Sequence, residues 1–267
     1  MSKTILSAVT MALHNRMAKE DHRPFVLGIC GAQGSGKSTL AEALAADLGG
    51  AGVPTAILSL DDIYKTKADR LTMAATVHPL FATRGVPGTH DIDLAHFVLD
   101  SLERAEAAPL PRFDKALDDR RPTSAWPLAP ADTRVLILEG WCLGARPEPD
   151  SALLRPINWL EEQEDTAGVW RRYVNHALAS DYQGLFGRID LLVMLAAPGF
   201  DIVHRWRTQQ EHALHQHGNG GMADGEIERF VRHYERLTRH ILADMPHYAD
   251  VTVALDEARA PREILIR

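Results

Sequence analysis

The run Gly31-Ala32-Gln33-Gly34-Ser35-Gly36-Lys37-Ser38 has the spacing GxxxxGKS, with Thr39 following. Glycines at these positions let backbone N–H groups turn inward around phosphate oxygens, and a helix opening after them adds its partial positive charge. Lys37 would reach the β and γ phosphates, and the Ser38 hydroxyl would ligate Mg²⁺. The chemistry implied is binding of a nucleoside triphosphate.

Carboxylates stand at two further places. Leu58-Ser59-Leu60-Asp61-Asp62-Ile63-Tyr64 ends an apolar run on a pair of acids, and Val135-Leu136-Ile137-Leu138-Glu139-Gly140-Trp141 ends another on one acid. A hydroxyl attacking a γ-phosphate needs a carboxylate within hydrogen-bond reach to orient it and accept its proton. Successive strand residues face opposite ways, so one of Asp61 and Asp62 is expected to point at a substrate. Glu139 suits the acid that organises Mg²⁺ and its water at a sheet edge.

Two short matches to guanine-nucleotide motifs fail on context. Asp165-Thr166-Ala167-Gly168 follows the polar run Glu161-Glu162-Gln163-Glu164 in place of a buried strand, and Thr66-Lys67-Ala68-Asp69 precedes it, reversing the required order.

These groups need elements to hold them. Phe25 to Cys30, Thr55 to Leu60, Val135 to Leu138, Ile189 to Ala196 and Val251 to Leu255 read as buried strands, being continuous, partly β-branched and followed by turn or polar residues. Helical patterns separate most of them. Thr39 to Leu48 stops at Gly49-Gly50, and Leu94, Phe97, Val98, Leu102 and Ala105 share a face before Pro109. Ile227, Phe230, Val231, Tyr234, Leu237 and Ile241 form another stripe, read as core packing without functional weight. Alternation of this kind predicts a doubly wound parallel sheet of five strands with helices on both faces and ligands beyond the carboxyl ends of the strands.

The chain reads as one domain over residues 1–267, with an N-terminal helix in 1–22 and a helix in about 200–217. The stretch from Ile63 to Arg134, between the second and third strands, is long for a connection and carries Pro109, Pro111, Pro122, Pro127 and Pro130. We expect it to be a substrate-gripping insertion.

Composition narrows the partners. The net charge of −7 argues against a sequence-independent grip on nucleic acid or an anionic membrane, so an anionic ligand must be met by local groups. Cys30 and Cys142 are the only cysteines, which suits a reducing compartment and free buried thiols. Thr4 to Leu13 is interrupted by Ser7 and Thr10 and reads as an amphipathic helix in place of a secretion signal. The longest later apolar run, Leu191 to Ala197, is far below the ~20 residues that cross a bilayer. A soluble, cytoplasmic protein is expected.

Taken in order, GxxGSGKST, SLDDIY, Arg84-Gly85-Val86-Pro87-Gly88-Thr89-His90-Asp91, Pro111-Arg112-Phe113-Asp114-Lys115 with Asp118-Asp119-Arg120, LILEGW and Trp206-Arg207-Thr208-Gln209-Gln210-Glu211 resemble the D-glycerate 3-kinase family of plants, fungi and bacterial relatives. More distantly the chain is similar to uridine kinase, pantothenate kinase and phosphoribulokinase. The resemblance runs from about Phe25 to the C-terminus. It implies a P-loop fold and an ATP- and Mg²⁺-dependent transfer of the γ-phosphate to a hydroxyl of a small acid, D-glycerate giving 3-phosphoglycerate.

On that resemblance Asp61 would be the base, with Asp62 in reserve. Tyr64, Arg84, His90 and Asp91 would lie on the substrate side, and Lys115 and Arg120 in a second substrate loop. An acceptor carboxylate calls for a bidentate arginine on chemical grounds alone, which Arg84 or Arg120 could supply. Arg205 and Arg207 fall where related kinases bring arginine onto the transferring phosphate; of the two, Arg207 sits inside WRxQxE and is preferred. His212, His215 and His217 read as a solvated helix end in place of a metal site. The same residues leave open a nucleoside, pantothenate-like or sugar acceptor, or a regulator that holds ATP without transferring phosphate. The acceptor and the oligomeric state are not fixed by sequence.

Overall fold

Six segments of the chain pair into one sheet in the computed structural model, which describes residues 2–19, 24–216 and 224–267. They are β1 (Phe25–Gly31), β2 (Thr55–Ser59), β3 (Val135–Gly140), β4 (Leu191–Ala196), β5 (Val251–Leu255) and β6 (Pro261–Ile266). The order across the sheet is β6-β5-β4-β1-β3-β2, parallel throughout except for the antiparallel pairing of β6 with β5. The expected five-stranded sheet is therefore corrected to six. Pro261–Ile266 is an edge strand, exposed along much of its length, so it lacks the continuous apolar run that marks its neighbours.

The chain leaves β1 for β2 by skipping one position, which β3 later fills, and β4 then pairs on the other side of β1. Such a reversal opens a crevice at the carboxyl end of the central strand. The phosphate-binding loop leaves β1 there.

Nine helices of the described residues cover the sheet: α1 (Lys3–Met17), α2 (Lys37–Gly50), α3 (Lys67–Thr76), α4 (Ile92–Glu103), α5 (Trp159–Glu164), α6 (Val169–Ala179), α7 (Asp181–Phe186), α8 (Phe200–Gln216) and α9 (Asp224–Asp244). Side chains alternate across β1. Val26 and Cys30 enter a core with α4, α7 and α9, whereas Phe25, Leu27 and Ile29 enter a second core with α1, α2 and α8. Leu27 is fully buried, so Leu27→Ala would cost about 2–5 kcal/mol. No described helix is long and apolar enough to cross a membrane.

The stretch between β2 and β3 holds α3, α4 and two ladders of two-residue strands: Ala108–Pro109 with Leu128–Ala129, and Phe113–Asp114 with Asp119–Arg120. Ladders this short hold little by themselves, and side chains brace them from the end of β2 and from within the stretch. Asp62 Oδ1 accepts from Phe113 N at 3.1 Å, and Arg70, 1% exposed, donates to Lys65 O, Ala82 O and Asp118 O.

Both guanine-motif matches prove to be helix caps. Thr66 accepts from Asp69 N at 3.2 Å at the start of α3, and buried Asp165 accepts from Trp170 N and Arg171 N at the start of α6. Cys30 and Cys142 are free and buried, and burial pushes the Cys30 thiol up to about 12.

Candidate active site

The loop after β1 is shaped by its glycines. Gly34 has φ 76°, and a Cβ there would lie 2.8 Å from Trp206 Cβ of α8, so the loop and this helix approach as closely as a missing side chain allows. Ser35 N donates to Ala32 O at 3.1 Å, closing the turn, and α2 starts at Lys37. Gln33, Gly34, Gly36, Lys37, Ser38 and Thr39 face an open cavity of about 510 Å³. Gly31, Ala32 and Ser35 lie behind that surface, where Ala32 and Ser35 are buried.

Glu139 closes β3 beside this loop. Its Oε1 accepts from Ser38 Oγ at 3.1 Å and from Ser59 Oγ at 2.8 Å. Parallel pairing of β2 with β3 sets Ser59 opposite Glu139, which is why the two strand ends converge on one carboxylate oxygen. A hydroxyl and a carboxylate with only oxygen donors suit Mg²⁺.

Asp61 and Asp62 lie just past β2, in a single 3₁₀ turn over Leu60–Asp62. The turn sends the two carboxylates apart. Asp61 lines the cavity, its Oδ1 accepting from Tyr64 Oη at 2.7 Å and its Oδ2 from Lys115 Nζ at 2.6 Å. Burial would push Asp61 up, but Lys115, Lys37 and the Tyr64 hydroxyl outweigh it and hold the carboxyl well below the usual range. Asp62 turns to the insertion, pairing with Phe113 N and, at 3.4 Å, with Arg112; burial raises it.

Tyr64, Arg84 and Lys115 join Asp61 on the cavity wall. Arg84 pairs with Asp118 and lies 5.4 Å from the Phe113 ring centre. Asp118 Oδ2 also meets Arg70 at 3.0 Å, so one carboxylate serves two arginines. His90, Asp91 and Arg120 are not on the wall. His90 is buried, stacks on Tyr64 at 4.7 Å and shares its Nδ1 with Tyr182 Oη at 2.6 Å; burial pulls it down to about 4. Arg120 Nη2 bonds Tyr64 O and Asp91 Oδ2, each at 2.9 Å. These three residues support Tyr64 from behind.

On the far wall Arg207 faces the cavity and lies 5.2 Å from the Phe230 ring centre, while Arg205 points outward to Glu257 at 2.7 Å. His217 lies outside the described residues, as do the side chains of His212 and His215. Among the described residues no group of His, Cys, Asp or Glu could hold a metal by itself.

The wall also holds residues that the sequence pattern does not mark. Phe230 and Tyr234 belong to the α9 stripe read as core, yet both line the cavity. Tyr234 Oη donates to Arg84 O at 3.0 Å and takes the place that a side chain on Gly85 would occupy, 1.8 Å from its Cβ position. Gly85, at φ 133°, was the available signal: a glycine beside Arg84 announces a close neighbour. Trp206, Gln209 and Arg259 complete the wall. Trp141 packs, donating to Gly85 O at 2.8 Å and meeting Tyr234 edge-on, and Trp159 packs under α6.

Residues 26–144 match the model of the phosphoribulokinase/uridine kinase family. The chain is 40% identical to the uncharacterized kinase mug58 of Schizosaccharomyces pombe, over 92% of this chain and 93% of that one. It is 31% identical to the chloroplastic D-glycerate 3-kinase of Arabidopsis thaliana, over 94% of this chain and 57% of that one. Among solved structures, D-glycerate 3-kinase from Cryptococcus neoformans superposes with a TM-score of 0.80 at 25% identity, covering 99% of this chain and 98% of that one.

Proposed function

Since the chain belongs to the D-glycerate 3-kinase branch of the phosphoribulokinase/uridine kinase family of P-loop kinases, we propose that it transfers the γ-phosphate of ATP to a hydroxyl of D-glycerate, giving 3-phosphoglycerate. The observation that carries this reading is the wall facing Lys37: a cavity lined by Asp61, Tyr64, Arg84 and Lys115 offers one carboxylate, held by Lys115, for a hydroxyl and the Arg84 guanidinium for an acid.

The loop from Gln33 to Thr39 takes the phosphates, with Lys37 on the β and γ groups. Ser38 and Glu139 would hold Mg²⁺, which when bound neutralises charge on the phosphate oxygens. Arg84 takes the acceptor's carboxylate, a charge-assisted contact. Asp61 accepts the hydrogen bond of the attacking hydroxyl and receives its proton as the oxygen bonds to the γ-phosphorus and the bond to the β-phosphate oxygen breaks, releasing ADP. Held strongly ionised, Asp61 contributes more by fixing the direction of the hydroxyl than by pulling its proton. Arg207 faces the charge that spreads over the transferring phosphoryl oxygens.

The test is ADP release from Mg·ATP against D-glycerate, L-glycerate, uridine, pantothenate and common sugars. Strong stimulation by D-glycerate alone is expected. Stimulation by another member would keep the kinase and discard the acceptor, and stimulation by none would favour a regulator that only holds ATP.

A further inference from the structure

Arg259 sits in the turn between β5 and β6 with a backbone φ of 66°, a region that costs a bulky residue about 1–2 kcal/mol. The turn is tightly specified nonetheless. Asp256 N donates to Ala260 O at 2.8 Å, Arg259 N to Asp256 O at 3.0 Å, and Asp256 Oδ1 accepts from Ala258 N and Ala260 N. A strained residue held this firmly points to a task for its side chain.

The side chain reaches the phosphate-binding loop. Arg259 Nε donates to Gly34 O at 2.6 Å, its Nη2 meets Gln209 Oε1 of α8 at 3.1 Å, and the guanidinium lies 4.9 Å from the Trp206 ring centre. Trp206 Nε1 in turn donates to Glu257 O at 2.9 Å, and its Cβ fills the space beside Gly34. Loop, helix and C-terminal turn thus meet around one glycine. Phosphate is held by backbone N–H groups, and a carbonyl swung toward it would repel it. Glycine at positive φ leaves that peptide free to rotate unless something outside the loop anchors the oxygen.

We propose that Arg259 is a positioning residue that presets the phosphate-binding loop by anchoring the Gly34 carbonyl, so that the β5–β6 hairpin is a working part of the nucleotide site. The proposal rests on the reading of this loop as a nucleotide site, and binding measurements separate the two because they need no acceptor.

Calorimetric titration of Mg·ATP into the wild-type chain, Arg259→Ala, Arg259→Lys and the exposed β6 control Arg262→Ala tests it, with melting temperatures taken alongside. Arg259→Ala is expected to weaken ATP at least about tenfold, the scale of a lost charge-assisted hydrogen bond. Arg259→Lys, which keeps the charge, should recover part of the affinity, and Arg262→Ala should bind as wild type, all melting within a few degrees of one another. Wild-type affinity in both Arg259 variants overturns the proposal, as does a loss of affinity that tracks a fall in melting temperature in both. Should Arg259→Ala fail to fold, Arg259→Lys decides. A wild-type chain that does not bind ATP removes the nucleotide-site reading itself.

Discussion

Lys115 Nζ stands 2.6 Å from Asp61 Oδ2, so the carboxylate just past β2 is neutralised by a cation delivered from the insertion. Both groups are about half exposed, and the pair adds little stability by itself. Its effect is on protonation. The folded pKa of Asp61 lies below the unfolded one, so the pair is intact above about pH 4 and is lost only as pH falls further, through the folded value.

The pH profile of kcat/KM should therefore show no acid limb from Asp61 between pH 5 and 9. Lys115→Met removes the largest opposing charge while Lys37 and the Tyr64 hydroxyl remain, so the acid limb of Asp61 should move to higher pH in the variant. Identical profiles would detach Lys115 from the control of Asp61.

The two adjacent acids should separate by phenotype. Asp61→Asn is expected to spare ATP binding and to cut turnover by roughly 10²- to 10⁴-fold, the usual contribution of a positioned proton acceptor. Asp62→Ala strands Phe113 N and loosens the insertion, so it should lower stability by about 1–3 kcal/mol and raise the acceptor KM with less effect on turnover. Steady-state kinetics with a urea melt of each variant checks this, and the opposite assignment would make Asp62 the base.

Substitutions on facing walls should divide in the same way between substrates. Lys37→Ala should lower turnover by roughly 10²- to 10³-fold, as loss of one preorganised donor does. Arg84→Ala should raise the acceptor KM about 10- to 100-fold while that for ATP stays within a fewfold. If ATP were the substrate affected, Arg84 would belong to the nucleotide wall.

Stability should fall on the acid side because of histidines buried in the neutral form. Burial pulls His90 and His233 each down to about 4. An unfolded chain binds those protons near pH 6.5 and the folded one does not, so stability is full above about pH 6.5 and declines as pH drops toward 4, by up to ~3 kcal/mol for each. Urea unfolding at pH 7.5 and 5.0 should show this decline, and His233→Leu should make it shallower. An unchanged slope would mean that His233 titrates normally.

The parts of this molecule that follow from short stretches of chain could be read before folding. Phe25 to Ser38 announces strand, loop and helix in sequence, and Asp61 and Glu139 are visible because each closes an apolar run. What could not be read depends on where distant pieces meet. Tyr234 is one more residue in an amphipathic stripe until α9 is laid across Gly85, and Arg259 acquires its partner only through a contact that spans 225 residues. Pro261–Ile266 escapes for another reason: an edge strand needs one neighbour and one buried face, so its sequence carries half the signal of a central strand.

The stretch between β2 and β3 is braced internally by Arg70 and two short ladders, is tied at its root by Asp62 and packs α4 against the sheet, while Lys37, Ser38 and Glu139 are built into the sheet or the helix that follows it. On the proposed reading, the contacts to the acceptor and those to the phosphates thus come from different pieces of chain. In evolutionary terms, that reading lets the loop that carries Lys115 drift and be retuned to a new acid or alcohol, while α4 in the core and the strand and helix ends that hold Lys37, Ser38 and Glu139 stay as they are.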